Sequence, residues 1–289
     1  MGREKVIAVV GLGLIGGSMA AALRGFEAYT VTGVVRRQET ADYAISHGVC
    51  DRVTMDPMEI LPEADLVYLC MDPRGIVDYM ARYRDVFKPG SLVTDVGGIK
   101  TAIMEGAKVL PETVDFIGCH PMAGTEFSGI EHSFPTMFQR AHFILTPGER
   151  STPEHLDLMK RISAYIGCSD VVVTTPERHD AIIAYTSQVM HIIALSVCDD
   201  EDLFRCRGFE GGSFRDCTRV AALDVGLWTQ LFSMNAPALT KVIRRLEENL
   251  RAYRETIESG DLEALSKKLT WSADRKRQMN LPGPGQVML

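Results

Sequence analysis

The fold of this chain is decided by the stretch Val6-Ile7-Ala8-Val9-Val10-Gly11-Leu12-Gly13-Leu14-Ile15-Gly16. Its apolar first half predicts a strand that is covered on both faces, as in a parallel sheet. The glycines that follow have the spacing Gly-x-Gly-x-x-Gly and lead into a helical pattern. In that context Gly11 permits a tight turn, Gly13 lets the backbone approach a pyrophosphate, and Gly16 allows close packing of helix against strand. The residues from Gly11 to Gly16 are therefore predicted to bind a dinucleotide, with its phosphates at the helix N-terminus.

Further apolar runs alternate with helical patterns through the first part of the chain. The other strand candidates are Thr30–Val35, Leu66–Met71, Leu92–Val96, Phe116–Cys119, His142–Thr146 and Val171–Thr174. The intervening helices are predicted at Ser18–Arg24, Gln38–Ser46 and Ile76–Phe87. Repeated βαβ units of this kind predict a doubly wound α/β domain with a dinucleotide-binding (Rossmann) topology. We assign residues 1–176 to this domain.

The remainder, residues 177–289, is predicted to be an all-helical domain for substrate binding and dimerisation. Its helical patterns are His179–Cys198, Thr218–Phe232, Ala236–Glu258 and Leu262–Met279. Apolar residues in the third pattern alternate at spacings of four and three, namely Leu239, Ile243, Leu246, Leu250, Tyr253 and Ile257. Such a seam needs a partner helix, either in the same chain or in a second copy. We favour the second copy, and hence a homodimer.

The composition is that of a globular protein with material for two domains, with 46% hydrophobic and 24% charged residues in 289. A net charge of −7 argues against nucleic-acid binding, which needs clustered Lys and Arg. No apolar run approaches the roughly 18 residues that cross a bilayer, and the start lacks a signal peptide. The seven cysteines contain no Cys-x-x-Cys pair, which is typical of reduced thiols. We therefore expect a cytoplasmic protein without a metal or a membrane partner.

The residues after the second predicted strand bear on the choice of dinucleotide. An NAD site usually places Asp or Glu there to accept from the ribose 2′-hydroxyl, but this chain has Val35. Arg36 and Arg37 follow, and guanidinium groups suit a 2′-phosphate. We therefore favour NADP, while Glu39 keeps NAD open. Three more residues are assigned to the cofactor site: Asp72, Pro73 and Gly98.

Two segments supply candidates for the reaction itself. Thr94–Lys100 follows a predicted strand, so it lies at the carboxyl edge of the sheet, where ligands bind in this fold. The next strand runs into His120, which therefore lies beside the expected nicotinamide. Among the seven histidines, His120 has the context best suited to proton transfer.

Four motifs together resemble the prephenate/arogenate dehydrogenases of tyrosine biosynthesis. They are Gly-Leu-Gly-Leu-Ile-Gly-Gly-Ser (11–18), Asp-Val-Gly-Gly-Ile-Lys (95–100), His-Pro-Met-Ala-Gly-Thr-Glu-x-Ser-Gly (120–129) and Phe-Arg-Asp-Cys-Thr-Arg (214–219). The third is the most discriminating, because unrelated dehydrogenases share only the glycine turn. The resemblance extends from about residue 5 to residue 280.

This resemblance implies an oxidative decarboxylation in which a cyclohexadienyl substrate gives a hydride to NAD(P) and loses CO₂. His120 matches the catalytic histidine that takes up the proton of the 4-hydroxyl group, and a neutral imidazole is required for that role. Arg219 matches an arginine that binds a substrate carboxylate. His191 matches a second histidine on the substrate side, while Thr125, Glu126 and Gln188 match positions near the substrate.

Two departures from the family pattern fall in the substrate region. The family usually carries Ser where this chain has Gly98, and many members have another histidine in place of Gln188. Two other readings stay open at this point. One is a dehydrogenase or reductase of another small hydroxy acid, although the usual helical-domain lysine is missing from His179–Cys198. The other is a nucleotide-binding sensor that has lost catalysis.

Overall fold

Eight strands form one sheet in the computed structural model, which describes residues 4–125 and 127–280. The strands are β1 (Lys5–Val10), β2 (Tyr29–Val34), β3 (Arg52–Thr54), β4 (Leu66–Leu69), β5 (Leu92–Asp95), β6 (Asp115–Pro121), β7 (His142–Pro147) and β8 (Asp170–Val173). Their order in the sheet is β3-β2-β1-β4-β5-β6-β7-β8. Strands β1 to β6 are parallel, whereas β7 is antiparallel to β6 and parallel to β8. The predicted doubly wound fold is confirmed, with two reversed strands at one edge.

The first strand explains how both faces of the sheet become buried. Ile7 and Val9 belong to one hydrophobic cluster, and Val6, Ala8 and Val10 belong to another. Successive side chains of a strand point to opposite faces, so an unbroken apolar run fills two cores at once. The strand order reverses between β1 and β4, which both flank the glycine turn. Ligands bind at such a switch point in open α/β sheets.

Helices cover the sheet and build the rest of the described chain. They are α1 (Leu14–Leu23), α2 (Gln38–Ser46), α3 (Pro57–Ile60), α4 (Pro73–Tyr83), α5 (Thr101–Gly106), α6 (Pro153–Tyr165), α7 (Pro176–Ile183), α8 (Val189–Cys198), α9 (Gly212–Thr218), α10 (Val225–Met234), α11 (Ala236–Glu258) and α12 (Leu262–Met279). A π-helical turn, Ala184–Gln188, joins α7 to α8. For α2, α11 and α12, the first and last residues in the structure are the predicted ones.

Some predicted elements need correction. The short strand β3 was not anticipated, because three residues carry almost no periodic pattern. The predicted helix Thr218–Phe232 is broken: a 3₁₀ turn occupies Arg219–Ala221 and α10 begins only at Val225. The Asp224 carboxylate accepts from the Leu227 N–H at 2.8 Å and so caps this new helix start.

The expectation that no apolar run reaches membrane-spanning length is wrong. Among the described residues, the helical run Pro176–Cys198 has 23 residues and contains an 18-residue window with a mean hydropathy of 1.6, enough to cross a bilayer by length and composition alone. It nevertheless contains the buried polar residues His179, Asp180 and Gln188. Buried polar groups need hydrogen-bond partners, and the protein partners of these three residues are described below.

The described residues separate into two units, one ending at Leu239 and one beginning at Thr240. The second unit holds most of α11 together with α12. Within it, the Tyr253 hydroxyl lies 2.8 Å from the Ser272 hydroxyl, and the Lys268 ammonium lies 4.5 Å above the Tyr253 ring. Leu250 and Ile257 of the predicted seam remain exposed, at 59% and 62%. The domain division at residues 176 and 177 stays a prediction.

Candidate active site

The glycine turn has the geometry that its three glycines require. Gly11 has a φ of +90°, and a Cβ at this position would lie 2.5 Å from the Cys70 carbonyl oxygen. A Cβ on Gly16 would lie 1.9 Å from the Gly11 carbonyl oxygen. Neither position accepts a larger residue, because α1 starts against β1 and the end of β4. The close helix–strand contact assigned to Gly16 is present.

Gly13 differs, because no atom lies within 4 Å of a Cβ built on it. It is the N-cap of α1, and no side chain caps this end of the helix. The first-turn N–H groups, including those of Leu14 and Ile15, thus have no side-chain cap at the positive end of the helix dipole. This cradle fits the pyrophosphate of a dinucleotide. Leu12 is buried beside Gly33 in β2, so only its backbone is available to a ligand.

The end of β2 places two cations at the surface. Val35 is buried and its N–H donates to the Thr54 carbonyl at 3.1 Å. Arg36 and Arg37 are exposed, and neither pairs with a carboxylate of residues 4–125 or 127–280. Both guanidinium groups are therefore free to meet an anionic ligand at the carboxyl edge of the sheet.

Asp72, Pro73 and Gly98 lie at the same edge. The Asp72 carboxylate accepts from the Gly75 N–H at 3.0 Å and caps α4, and Pro73 is the buried first residue of that helix. The structure thus gives Asp72 a structural task that the sequence analysis did not anticipate. Gly98 is half-buried after β5, and a Cβ built on it would lie 3.4 Å from Leu231 Cδ2.

The loop after β6 lies beside the glycine turn. The Phe134 N–H donates to the Ser18 hydroxyl at 3.0 Å, and a Cβ on Gly17 would lie 2.8 Å from the Ser133 hydroxyl oxygen. The loop that follows β6 is thereby packed on the first turns of α1. Thr125 is exposed in this loop, and Glu126 lies outside the described residues.

His120 stands at the carboxyl end of β6, paired with Ile144 of β7. Its Nδ1 lies 2.9 Å from Nε2 of His179, and Nδ1 of His179 lies 2.7 Å from Oδ1 of Asp180. The Asp180 carboxylate also accepts from the backbone N–H groups of Lys100, at 2.7 Å, and Thr101, at 2.8 Å. A row of three side chains therefore joins β6 to α7 and to the loop after β5.

A buried ion pair lies next to this row. The Lys100 ammonium is 2.5 Å from Asp95 Oδ2 and 2.8 Å from the Gly97 carbonyl, and both charged side chains are fully buried. Burial, with the Lys100 charge and the neighbouring His179 as further causes, holds the pKa of His120 well below its ordinary value of 6.5. His120 is accordingly a neutral imidazole over the usual range of pH.

On the helical side, His191 and Arg219 come together. His191 Nδ1 donates to the Ser187 carbonyl at 3.1 Å, and its ring lies 3.6 Å from that of Trp228. Burial lowers the pKa of His191 and the charge of Arg219 adds to this, against the opposing bond to Ser187. The π-helical turn ends three residues before His191, and such turns are frequent at functional sites.

Gln188, which the sequence analysis placed near the substrate, is buried and hydrogen-bonded to other residues of the protein. It is 1% exposed, its amide nitrogen donates to the Leu231 carbonyl at 3.2 Å, and its oxygen accepts from Asn235 at 2.8 Å. These contacts hold the π-helical turn before α8 against the end of α10, so they give Gln188 a packing role.

His179 and Asp180 were not selected by the sequence analysis, and Lys100 was included only as the last residue of the candidate segment Thr94–Lys100. Thr175 caps α7 by accepting from the Arg178 N–H at 3.3 Å, which places His179 in the first turns of the helix. The adjacent His-Asp pair is the only pattern in the sequence that points to His179 and Asp180, and such a pair on a helix is usually solvated. Their roles depend on contacts with residues that are 59 to 80 positions away.

The chain matches two family models along most of its length. Residues 19–172 match the nucleotide-binding domain of prephenate dehydrogenase, and residues 175–271 match its dimerization domain. The cyclohexadienyl dehydrogenase of Zymomonas mobilis is 32% identical over 89% of this chain and 90% of its own length. The prephenate dehydrogenase of Bacillus subtilis is 28% identical over 98% of this chain and 78% of its own length.

Solved structures agree with these sequence matches. The prephenate dehydrogenase of Aquifex aeolicus, in complex with hydroxyphenyl propionate and NAD⁺, has a TM-score of 0.86 at 28% identity and covers 96% of this chain and 99% of its own. Synechocystis arogenate dehydrogenase has a TM-score of 0.82 at 29% identity, covering 94% of this chain and 99% of its own. With a dinucleotide cradle, a neutral histidine at the sheet edge and matches over both domains, the chain belongs to the prephenate dehydrogenase family of NAD(P)-dependent oxidoreductases.

Proposed function

We propose that this chain oxidatively decarboxylates prephenate to 4-hydroxyphenylpyruvate in tyrosine biosynthesis. One observation carries the proposal: a neutral, partly buried His120 lies at the carboxyl end of β6, and the loop that follows this strand packs against the dinucleotide cradle. A base at this point reaches a hydroxyl group whose carbon faces the nicotinamide. The aryl propionate bound by the Aquifex aeolicus relative has the ring and the carboxylate chain of such a product, which supports the substrate class.

The charge state of each site residue determines its proposed role in the reaction. His120 Nε2 accepts the proton of the 4-hydroxyl group. The nicotinamide, when bound, supplies the acceptor for the hydride of the carbinol carbon. Arg219 binds a substrate carboxylate, because its planar, permanently charged group suits a planar anion. The neighbouring His191 presents an unprotonated Nε2 to the substrate, since its Nδ1 donates to Ser187.

Arogenate is the second candidate substrate, favoured by the names of two relatives, a cyclohexadienyl dehydrogenase and an arogenate dehydrogenase. The two substrates differ in a keto or an amino group on the side chain. Absorbance at 340 nm with prephenate and with arogenate, each offered NAD and NADP, separates the candidates. If none of the four combinations produced reduced cofactor, the proposed activity would be rejected.

A preference for NADP over NAD is the finer proposal for the cofactor. It is supported by two exposed arginines at the end of β2 and by an apolar residue where an acidic one would accept from the ribose. Val35→Asp combined with Arg36→Ser should move the ratio of kcat/KM values towards NAD. Arg52→Ser is the control, because Arg52 lies at the amino end of β3, away from the carboxyl edge of the sheet where Arg36 and Arg37 lie. An unchanged ratio in the double variant would refute the phosphate-binding role.

The role of Arg219 is tested against a matched arginine. Arg219→Ala should raise the KM for the substrate far more than the KM for the cofactor, since it removes a charge that pairs with the substrate. Arg215→Ala, an exposed arginine one turn earlier, should leave both constants unchanged. Equal effects of the two substitutions would contradict the assignment.

We also propose a cytoplasmic homodimer. The second unit exposes Leu250, Ile257, Leu262 and Trp271, at 59% to 78%, and residues up to 271 match a dimerization-domain model. All seven cysteines are free thiols, as expected in a reducing compartment. Sedimentation equilibrium should give twice the mass of the chain, and Ile257→Asp should lower it. Fractionation of the source cells tests the location.

A further inference from the structure

In the row formed by His120, His179 and Asp180, the hydrogen bonds determine which ring nitrogens carry protons. Asp180 is 4% exposed, and its carboxylate is held by two backbone N–H groups from the loop after β5. Burial opposes its ionisation, but the hydrogen bonds from His179 and from those N–H groups outweigh burial and lower the pKa of Asp180. An ionised carboxylate only accepts, so Nδ1 of His179 carries a proton.

The rest of the row follows from this assignment. A neutral His179 with a proton on Nδ1 has a lone pair on Nε2, which lies 2.9 Å from Nδ1 of His120. His120 must therefore donate from Nδ1, which leaves its Nε2 unprotonated. The reactive nitrogen of the base is thus selected by two buried residues, His179 and Asp180.

We propose that His179 and Asp180 are positioning residues that fix the tautomer of His120 and share the proton it takes up. The proposal rests on the proposed function. His120 Nε2 accepts the hydroxyl proton as the hydride leaves the carbinol carbon, and the Nδ1 proton of His120 shifts to Nε2 of His179. The resulting imidazolium pairs with the Asp180 carboxylate. When CO₂ departs, its bonding electron pair passes through the ring to the oxygen, and the proton returns there, so no proton is gained or lost.

The surroundings favour charge on His179 rather than on His120. Lys100 lies near His120 from the β5 side, and its charge opposes an imidazolium there. Asp95 neutralises that lysine in part, through the contact of 2.5 Å. On the α7 side, Asp180 is the charged group in contact with His179. A proton that moves from His120 to His179 therefore moves away from a cation and towards an anion.

The first experiment uses the protein without substrate. Nitrogen-15 NMR of the imidazole rings, with His120 identified by the signal missing in His120→Asn, reports which nitrogen carries the proton. We expect a protonated Nδ1 and an unprotonated Nε2 in the unaltered protein. A proton on Nε2 would overturn the proposal. This readout does not depend on turnover. It therefore separates failure of the positioning role proposed for His179 and Asp180 from failure of the proposed activity.

The second experiment measures turnover. His179→Leu should lower kcat on the order of 100-fold, with KM and cofactor affinity changed less than about threefold, since substrate contacts are retained. His179→Gln should recover part of the loss, because its amide oxygen can accept from His120 Nδ1 but cannot take the proton. An unchanged kcat in a folded His179→Leu protein would refute the proposal.

A second His–Asp pair in the chain provides the control. His155 Nδ1 lies 2.8 Å from Asp115 Oδ2, on α6 and at the start of β6, away from the carboxyl edge of the sheet. His155→Leu should lower thermal stability and leave kcat and its pH profile unchanged. If both leucine variants lowered kcat alike, His179 would be a structural residue only. If His179→Leu did not fold, the NMR result and His179→Gln would still decide.

Discussion

Replacing Gly98 by serine should raise kcat/KM for the cyclohexadienyl substrate by about 2- to 13-fold. The resemblance to the prephenate/arogenate dehydrogenases implies a serine at this position, with its hydroxyl group near substrate and nicotinamide. One hydrogen bond contributes roughly 0.5–1.5 kcal/mol, and about 1.36 kcal/mol corresponds to a factor of ten in rate. The range follows from these two values when the bond forms in the transition state.

The structure has room for this change. A Cβ built on Gly98 meets Leu231 Cδ2 at 3.4 Å and Cδ1 at 3.9 Å, which are ordinary contacts, and the backbone is not left-handed. The preceding glycine differs, because a Cβ on Gly97 would lie 2.6 Å from Ile103 Cδ1 and 2.9 Å from Asp95 Oδ2. Gly98→Ser should therefore fold with unchanged thermal stability, whereas Gly97→Ser should be destabilised.

The assay is initial velocity at 340 nm over a range of substrate concentrations, with saturating cofactor. Gly98→Ala is the matched variant, since it adds the Cβ without the hydroxyl group and should leave kcat/KM within about twofold of the unaltered protein. If the serine and alanine variants had equal activity, the hydroxyl group would have no role at this position. A loss of activity in both would mean that the site is closed by Leu231.

Three further predictions test the site and its support. His120→Asn should retain cofactor binding by fluorescence titration but lose about 10²- to 10⁴-fold in kcat, and a normal rate would remove His120 from the mechanism. Because the pKa of His120 lies well below 6.5 and the neutral form is the base, kcat/KM should stay constant as pH falls through 6.5 and decline only below it, while a decline centred at 6.5 or above would contradict this. Lys100→Met should lower the free energy of unfolding in urea by about 3–5 kcal/mol, because it leaves the buried Asp95 carboxylate without its cation. Lys108→Met, which breaks an exposed pair with Glu105, should change it by less than about 1 kcal/mol, and equal losses would show that burial does not matter here.

Local pattern was sufficient for several elements. The apolar run before Gly11 predicted a strand buried on both faces, and β1 supplies side chains to both hydrophobic clusters. The bounds of α2, α11 and α12 followed from helical periodicity, because each begins and ends where the pattern does. Corrections were needed where the pattern is short or bends, as at β3 and at the 3₁₀ turn Arg219–Ala221.

The sequence by itself determined the fold class, the dinucleotide turn and the family, because these depend on residue types at short spacings, and steric rules act on near neighbours. It also selected His120, from its place after a strand. Only the tertiary structure decided what surrounds that histidine. His179 lies 59 residues further along the chain, and Asp180 binds the backbone of Lys100 across 80 residues. Contacts over such separations follow from how strands and helices are stacked in space, and no local spacing encodes them.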